Sequence, residues 1–146
     1  MNDLVQEHLE NCDVLVMSAA VGDFVTETLE KEKIKKQGDA GLVLKLVPTK
    51  DILLDVAKRN LDKLVVGFAA ESQNLLESAL EKLKKKNLDL IVANDISAPG
   101  IGFQSDSNQV TIIDREEKIE NIPLKPKREI ADLLLDRILV RLKNPK

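Results

Sequence analysis

The sequence predicts an α/β fold with a mainly parallel sheet. Apolar runs of strand length alternate with helical patterns, and three of those runs are continuous rather than alternating with polar residues. The runs are "DVLVMSAA", "KLVVGFAA" and "LDLIVAND". A strand that is apolar on both faces needs cover on both faces, which a parallel sheet sandwiched by helices supplies.

The elements follow in order. "MNDLVQEHLENC" reads as a helix, with Asn2 as its N-cap and Leu4, Val5 and Leu9 at helical spacing. "DVLVMSAA" is a doubly buried strand, and "GLVLKLVPT" is a further strand closed by Pro48. "DILLDVAKRNL" is a helix opening on Asp51, a good N-cap residue. "KLVVGFAA" is the second buried strand. In the helix "ESQNLLESALEKLKKKN" after it, Leu76, Ala79, Leu80 and Leu83 form the buried stripe. Lys82 and Lys86 flank that stripe, whereas Glu81, Lys84 and Lys85 turn to solvent. "LDLIVAND" is the third buried strand, and "QVTIIDREEKIENIP" has the form of a hairpin or edge strand. "KREIADLLLDRILVRLK" closes the chain as a helix with Ile130, Leu134, Ile138 and Leu142 on one face.

Composition narrows the function. The 146 residues fit one domain with a real core, and 43% hydrophobic with 32% charged content is ordinary for a folded protein. A net charge of −3 supplies no global attraction to nucleic acid, and three Phe with no Tyr or Trp supply no stacking platform. Single copies of cysteine (Cys12) and histidine (His8) rule out an intramolecular disulfide and a histidine-rich metal site; both read as structural. No apolar run reaches transmembrane length, so the expectation is a cytoplasmic protein with no membrane and no nucleic-acid partner.

The sequence contains neither G-x-G-x-x-G nor G-x-x-x-x-G-K-[ST], nor a zinc-protease, C-x-x-C or G-x-S-x-G motif. Open α/β sheets bind ligands at the carboxyl ends of their strands. Here these ends read "SAAVGDF", "GFAAES" and "ANDISAPG", small residues beside polar ones, which suits a nucleotide or phosphorylated substrate. The stretch "KEKIKKQGD" places four lysines in the six positions Lys31–Lys36; by composition alone it is a solvated charge run.

Taken together, "MSAAVGDF", "EKIKK", "KDIL", "VVGFAAES", "KKKNLDLIVANDIS" and "GFQSDSNQVTII" stand in an order and spacing that resembles one family. That family is the phosphopantothenate–cysteine ligase (synthetase) domain of bacterial coenzyme A biosynthesis. The resemblance implies a Rossmann-like three-layer fold with a β-hairpin flap used in dimerisation. It implies CTP-dependent ligation of cysteine to 4′-phosphopantothenate through an acyl-cytidylate, with Mg²⁺, in a homodimer. A decarboxylase domain can be fused to this one. Positioning and charge neutralisation dominate such chemistry, so the lack of a Ser-His or Cys-His pair is consistent with it.

Carried over by position, the CTP contacts fall on Met17, Ser18, Ala19, Asp23, Lys33, Lys50, Asp51, Ile52, Leu53, Phe68, Lys82 and Lys86. Lys33 is the catalytic lysine, linked to attack of cysteine on the acyl-cytidylate. Asp23 is the carboxylate offered to Mg²⁺. Lys36, Asn94 and Asp95 line the substrate pocket. From the residues themselves, Phe68 after a buried strand reads as core, and Lys82 and Lys86 as stems that cover apolar surface or complement the helix dipole. Lys31, outside the motif, reads as surface.

The sequence departs from the family pattern in three places. "VGDF" replaces "VADY", and "TKDIL" replaces "NPDIL", adding the positive charge of Lys50. Family domains also open with a strand and a Ser/Gly-rich phosphate loop that this sequence lacks. The expectation is one domain over residues 1–146, the carboxyl-terminal part of a synthetase domain and inactive alone. The alternative is a non-catalytic nucleotide-binding or dimerisation module.

Overall fold

The chain begins with α1 (Asn2–His8), a 3₁₀ turn at Leu9–Asn11 and strand β1 (Val14–Met17). There follow β2 (Phe24–Thr26), β3 (Leu46–Pro48), α2 (Ile52–Lys58), β4 (Leu64–Glu71) and α3 (Leu75–Lys85). Strands β5 (Leu90–Asp95), β6 (Ser107–Asp114) and β7 (Ile119–Pro126) lead into α4 (Lys127–Lys143). This computed structural model describes residues 1–35, 38, 41–71, 73–95 and 105–143, with Asp95 described by its backbone alone. Two compact units result, Met1–Ala19 with Ile52–Lys146, and Ala20–Asp51.

The first unit carries a five-stranded sheet in the order β1-β4-β5-β6-β7. Strands β1, β4 and β5 pair in parallel, β6 runs against them, and β7 runs against β6. Four of the five strands therefore point one way, a mixed but mainly parallel sheet. Alternation of side chains splits the core in two. Val65, Ala69, Ile91, Ala93 and Ile113 pack with Leu9, Leu53, Val56, Ala79 and Leu83 under α2 and α3. On the other face Leu64, Val66, Leu90, Val92, Val110, Ile112 and Ile122 pack against Ile130, Leu134 and Ile138 of α4. The result is three layers, helix on sheet on helix.

Several expectations need correction. Strand β1 is only half-buried, with Val16 exposed, because it lies at the sheet edge and one flank is uncovered. "GLVLKLVPT" keeps just three strand residues; Leu42, Val43 and Leu44 are exposed before them. Met1, not Asn2, holds the cap position of α1, without a side-chain cap. On α3 the inward stripe runs through Leu75, Ala79 and Leu83, so Leu76 is exposed. Leu142 of α4 is exposed too, one turn beyond the last sheet contact.

A short segment between α3 and β5 organises the sheet. Asn87 takes a left-handed conformation (φ 47°), which ends α3 with hydrogen bonds from Leu88 N to Leu83 O (2.9 Å) and from Asn87 N to Lys84 O (3.1 Å). Leu88 then drops into the core against Gly67, where an added Cβ would stand 2.6 Å from Leu88 Cδ1. Asp89 follows, only 4% exposed. Its Oδ2 accepts from Val65 N (2.8 Å), its own N–H donates to Val65 O (2.8 Å), and its O accepts from Arg115 N (3.2 Å). The Arg115 guanidinium lies 3.2 Å from Asp89 Oδ1.

The second unit is a two-stranded antiparallel ribbon, β2 with β3, in register Phe24↔Pro48 to Thr26↔Leu46. Thr49 Oγ1 donates to Gly22 O (2.6 Å), and Thr49 N to Asp23 O (2.9 Å). Lys45 and Glu27 form an ion pair at 2.6 Å.

Removing one partner of a buried ion pair leaves the other uncompensated. Asp89→Ala is expected to cost about 3 kcal/mol in urea denaturation. Arg115→Met should cost less, since that guanidinium is partly exposed. Equal, negligible losses would contradict the bridging role of Asp89.

Candidate nucleotide site at the strand ends

The carboxyl ends of β1, β4 and β5 lie together at one end of the sheet, as the registers Met17↔Gly67 and Glu71↔Asp95 require. Alternation along β4 assigns its exposed residues to opposite faces. Gly67, Ala69 and Glu71 face α3, whereas Phe68 and Ala70 face the α4 side. Asn94, in register with Ala70, and Val16, in register with Val66, share that second face.

Phe68 is the exception on a buried central strand. Its neighbours Val66, Gly67 and Ala69 are buried, yet Phe68 is 39% exposed. It shares its face with exposed Val16 and half-buried Asn94. This arrangement separates the two readings of Phe68: it is not packed core.

The α3 face carries charge. Glu71 ends β4, and its carboxylate accepts a hydrogen bond from Lys82 Nζ of α3. Burial alone would raise the Glu71 carboxyl. The hydrogen bonds from Lys82 and Ser78, with the charge of Lys82, outweigh it and hold the carboxyl below the usual carboxylate range. Sequence reading singled out Lys82 but not Glu71; the signal was a carboxylate ending an otherwise apolar strand.

Other residues singled out from sequence are distributed as follows. Met17 is half-buried at the end of β1, and Ser18 and Ala19 are exposed just beyond it. Ile52 and Leu53 are core residues of α2, so any contact from them is through the backbone. Lys82 and Lys86 are both half-buried while Glu81, Lys84 and Lys85 are exposed, as helix geometry predicts. The structure does not bring Lys86 to the strand ends. It lines a small cleft at the opposite end of the sheet with Asn60, Lys63, Asp89 and Arg115, because α3 runs back along β4.

In the ribbon unit Asp23, Lys33, Lys50 and Asp51 are exposed. Lys36 and the 96–104 segment lie outside the described residues, as does the side chain of Asp95. A larger cleft, about 720 Å³, lies between α4 and β5–β7, away from these strand ends. Its charges are matched, Arg137 with Glu120 and Arg141 with Asp114. Among the described residues no helix is long and apolar enough to cross a membrane.

Residues 1–142 match the family described as DNA/pantothenate metabolism flavoprotein C-terminal domain. The chain belongs to this family. It is 39% identical over 140 residues to a protein named Cysteine/Cysteine sulfinic acid decarboxylase from an unknown prokaryotic organism, covering 95% of this chain and 39% of that protein. It is also 39% identical over 138 residues to the Coenzyme A biosynthesis bifunctional protein CoaBC of Bacillus subtilis (strain 168), covering 94% of this chain and 34% of that one. The crystal structure of the C-terminal domain of a CoaBC protein superposes with a TM-score of 0.79 at 30% identity, over 99% of this chain and 62% of that domain. The fold is thus the Rossmann-like α/β fold of this family. The chain spans between 34% and 39% of the length of these two curated relatives.

The Glu71–Lys82 pair has a testable pH dependence. A depressed folded value means the pair stabilises above the unfolded carboxyl value, about pH 4.3, and loses that stabilisation as pH falls through the folded value. Glu71→Gln should be less stable than the parent at pH 7 by no more than about 1 kcal/mol, since Lys82 is partly exposed. In urea denaturation the difference should close towards about pH 2. A difference constant with pH would rule out the ion pair as its source.

Proposed function

We propose that the chain forms part of a CTP-dependent ligase that joins cysteine to 4′-phosphopantothenate in coenzyme A biosynthesis. The observation that carries the reading is Phe68: an exposed aromatic at the carboxyl end of the interior strand β4, with Asn94 on the same face and Lys82 across the rim. An aromatic face stacks on a base, an amide reads its edge, and a lysine meets phosphate. The family's placement of nucleotide contacts at Met17–Ala19, Phe68 and Lys82 supports it.

In this reading the phosphopantothenate carboxylate attacks the α-phosphorus of CTP and expels pyrophosphate. The amine of cysteine then attacks the acyl carbon of the acyl-cytidylate and expels CMP. Lys33 serves this second step, and Lys50 adds positive charge near the triphosphate. A Mg²⁺ ion would be held chiefly by nucleotide phosphates, with Asp23 as the carboxylate offered to it, and would neutralise phosphate charge.

The remaining parts of the reading concern assembly. The open edge of β1 and the uncovered Val16–Phe68 face fit a chain that completes its site with a preceding strand and phosphate loop, after a fused decarboxylase domain. The ribbon exposes Phe24, Val25 and Leu46, and two strands alone are marginally stable in water. A second copy of the chain, making a cytoplasmic homodimer, is the proposed cover.

Calorimetric titration with CTP and Mg²⁺ tests the nucleotide site. Phe68→Ala and Lys33→Ala should each weaken binding about tenfold, and ATP should bind less tightly than CTP. No heat with the parent chain defeats the reading. Adding the family's N-terminal strand-and-loop segment should produce CMP release that requires both phosphopantothenate and cysteine. Binding without release would leave a non-catalytic nucleotide-binding module.

A further inference from the structure

The Glu71–Lys82 pair raises a question about order of events. The Lys82 ammonium commits one of its three N–H donors, and its charge, to Glu71 before any phosphate arrives. Glu71 is the more buried partner, with its side chain 18% exposed against 41% for Lys82. The Lys82 ammonium ends a flexible four-carbon stem, so it is the partner able to move.

Breaking a partly buried ion pair is costly when it strands a carboxylate. Here the Glu71 side chain keeps 18% of its surface exposed, so water can take the place of the departing ammonium. Glu120, by contrast, is held bidentately by Arg137, whose guanidinium also donates to Leu133 O (2.9 Å).

We propose that Glu71 is a positioning residue that holds Lys82 in the unliganded chain and passes it to a phosphate of the bound nucleotide. The hand-over rests on the nucleotide reading above; the hold on Lys82 does not. Glu71 is not a catalytic residue in this scheme, because it acts through Lys82. The consequence is a threshold on binding: an uncharged ligand finds Lys82 occupied, and an anionic one draws it out.

Two measurements separate the hold from the hand-over. In the unliganded chain, labelling of Lys82 by acetic anhydride, read by mass spectrometry, should rise in Glu71→Gln relative to the exposed Lys84 and Lys85. Unchanged labelling overturns the proposal whatever the nucleotide result. In calorimetry with CTP and Mg²⁺, Glu71→Gln should bind about threefold to fivefold more tightly than the parent, and Lys82→Ala more weakly. The double variant should match Lys82→Ala, because Glu71 has no other route to the ligand. Tighter binding by Glu71→Gln that persists in the Lys82→Ala background would show a general field effect and overturn the hand-over. If the parent chain binds no CTP while the labelling shift is present, the nucleotide reading and the hand-over fall together and the hold stands.

Discussion

The carboxylate of Asp89 is the constraint on which the arrangement of this sheet depends. It sits where α3 has ended and β5 has not begun, and it bonds to both the start of β4 and the β6–β7 turn. A buried carboxylate is tolerated only when its oxygens are satisfied. Here satisfaction requires that three separate segments arrive at one place. The register Val66↔Leu90 follows directly from the reciprocal bonds between Asp89 and Val65 one step earlier. Once that register is set, Gly67 meets Leu88, and the ends of β4 and β5 are level at Glu71 and Asp95. The ligand end of the sheet is therefore positioned from its opposite end, through the stiffness of two parallel strands.

The same register decides what each face of the strand ends can offer. Successive residues of a strand point to opposite faces. Phe68 and Glu71, three apart, must then lie on different faces, one apolar and aromatic, the other charged. A ligand that uses both must reach across the rim. A nucleotide has that shape, a flat apolar base at one end and phosphates at the other. The chemistry of the two faces is thus separated by the pleat, which keeps the Glu71–Lys82 pair away from the surface that would meet the base.

Helix α3 links these two features. Its C-terminal stop at Asn87 delivers Asp89 to the sheet, and its inward stripe delivers Lys82 to Glu71. Lys86, one turn further, falls on the same flank but lines the cleft beside Asp89 and Arg115, near the amino ends of β4 and β5. Spacing along a helix reports which way a side chain faces. It does not report how far along the neighbouring strand that side chain arrives, and Lys82 and Lys86 differ in that second respect.

Much of this molecule is readable in its sequence for local reasons. The doubly apolar runs of β4 and β5, the hairpin of β6 and β7, the inward face of α4 at Ile130, Leu134 and Ile138, and the inward tilt of Lys82 and Lys86 all follow from periodicity and chain stiffness. What local pattern could not supply was strand order. "DVLVMSAA" is as apolar as its neighbours, but it lies at the sheet edge and is half-exposed. "GLVLKLVPT" has strand composition, yet only three residues find a partner strand. Asp89 looked like one polar residue before an apolar run, and Glu71 like the end of another. Composition and periodicity determine which segments form strands and helices, because those depend on contacts a few residues apart. Which strand is central, which aromatic is left uncovered and which carboxylate meets a lysine eleven positions away were decided by tertiary pairing alone, because each depends on a partner that the local chain does not contain.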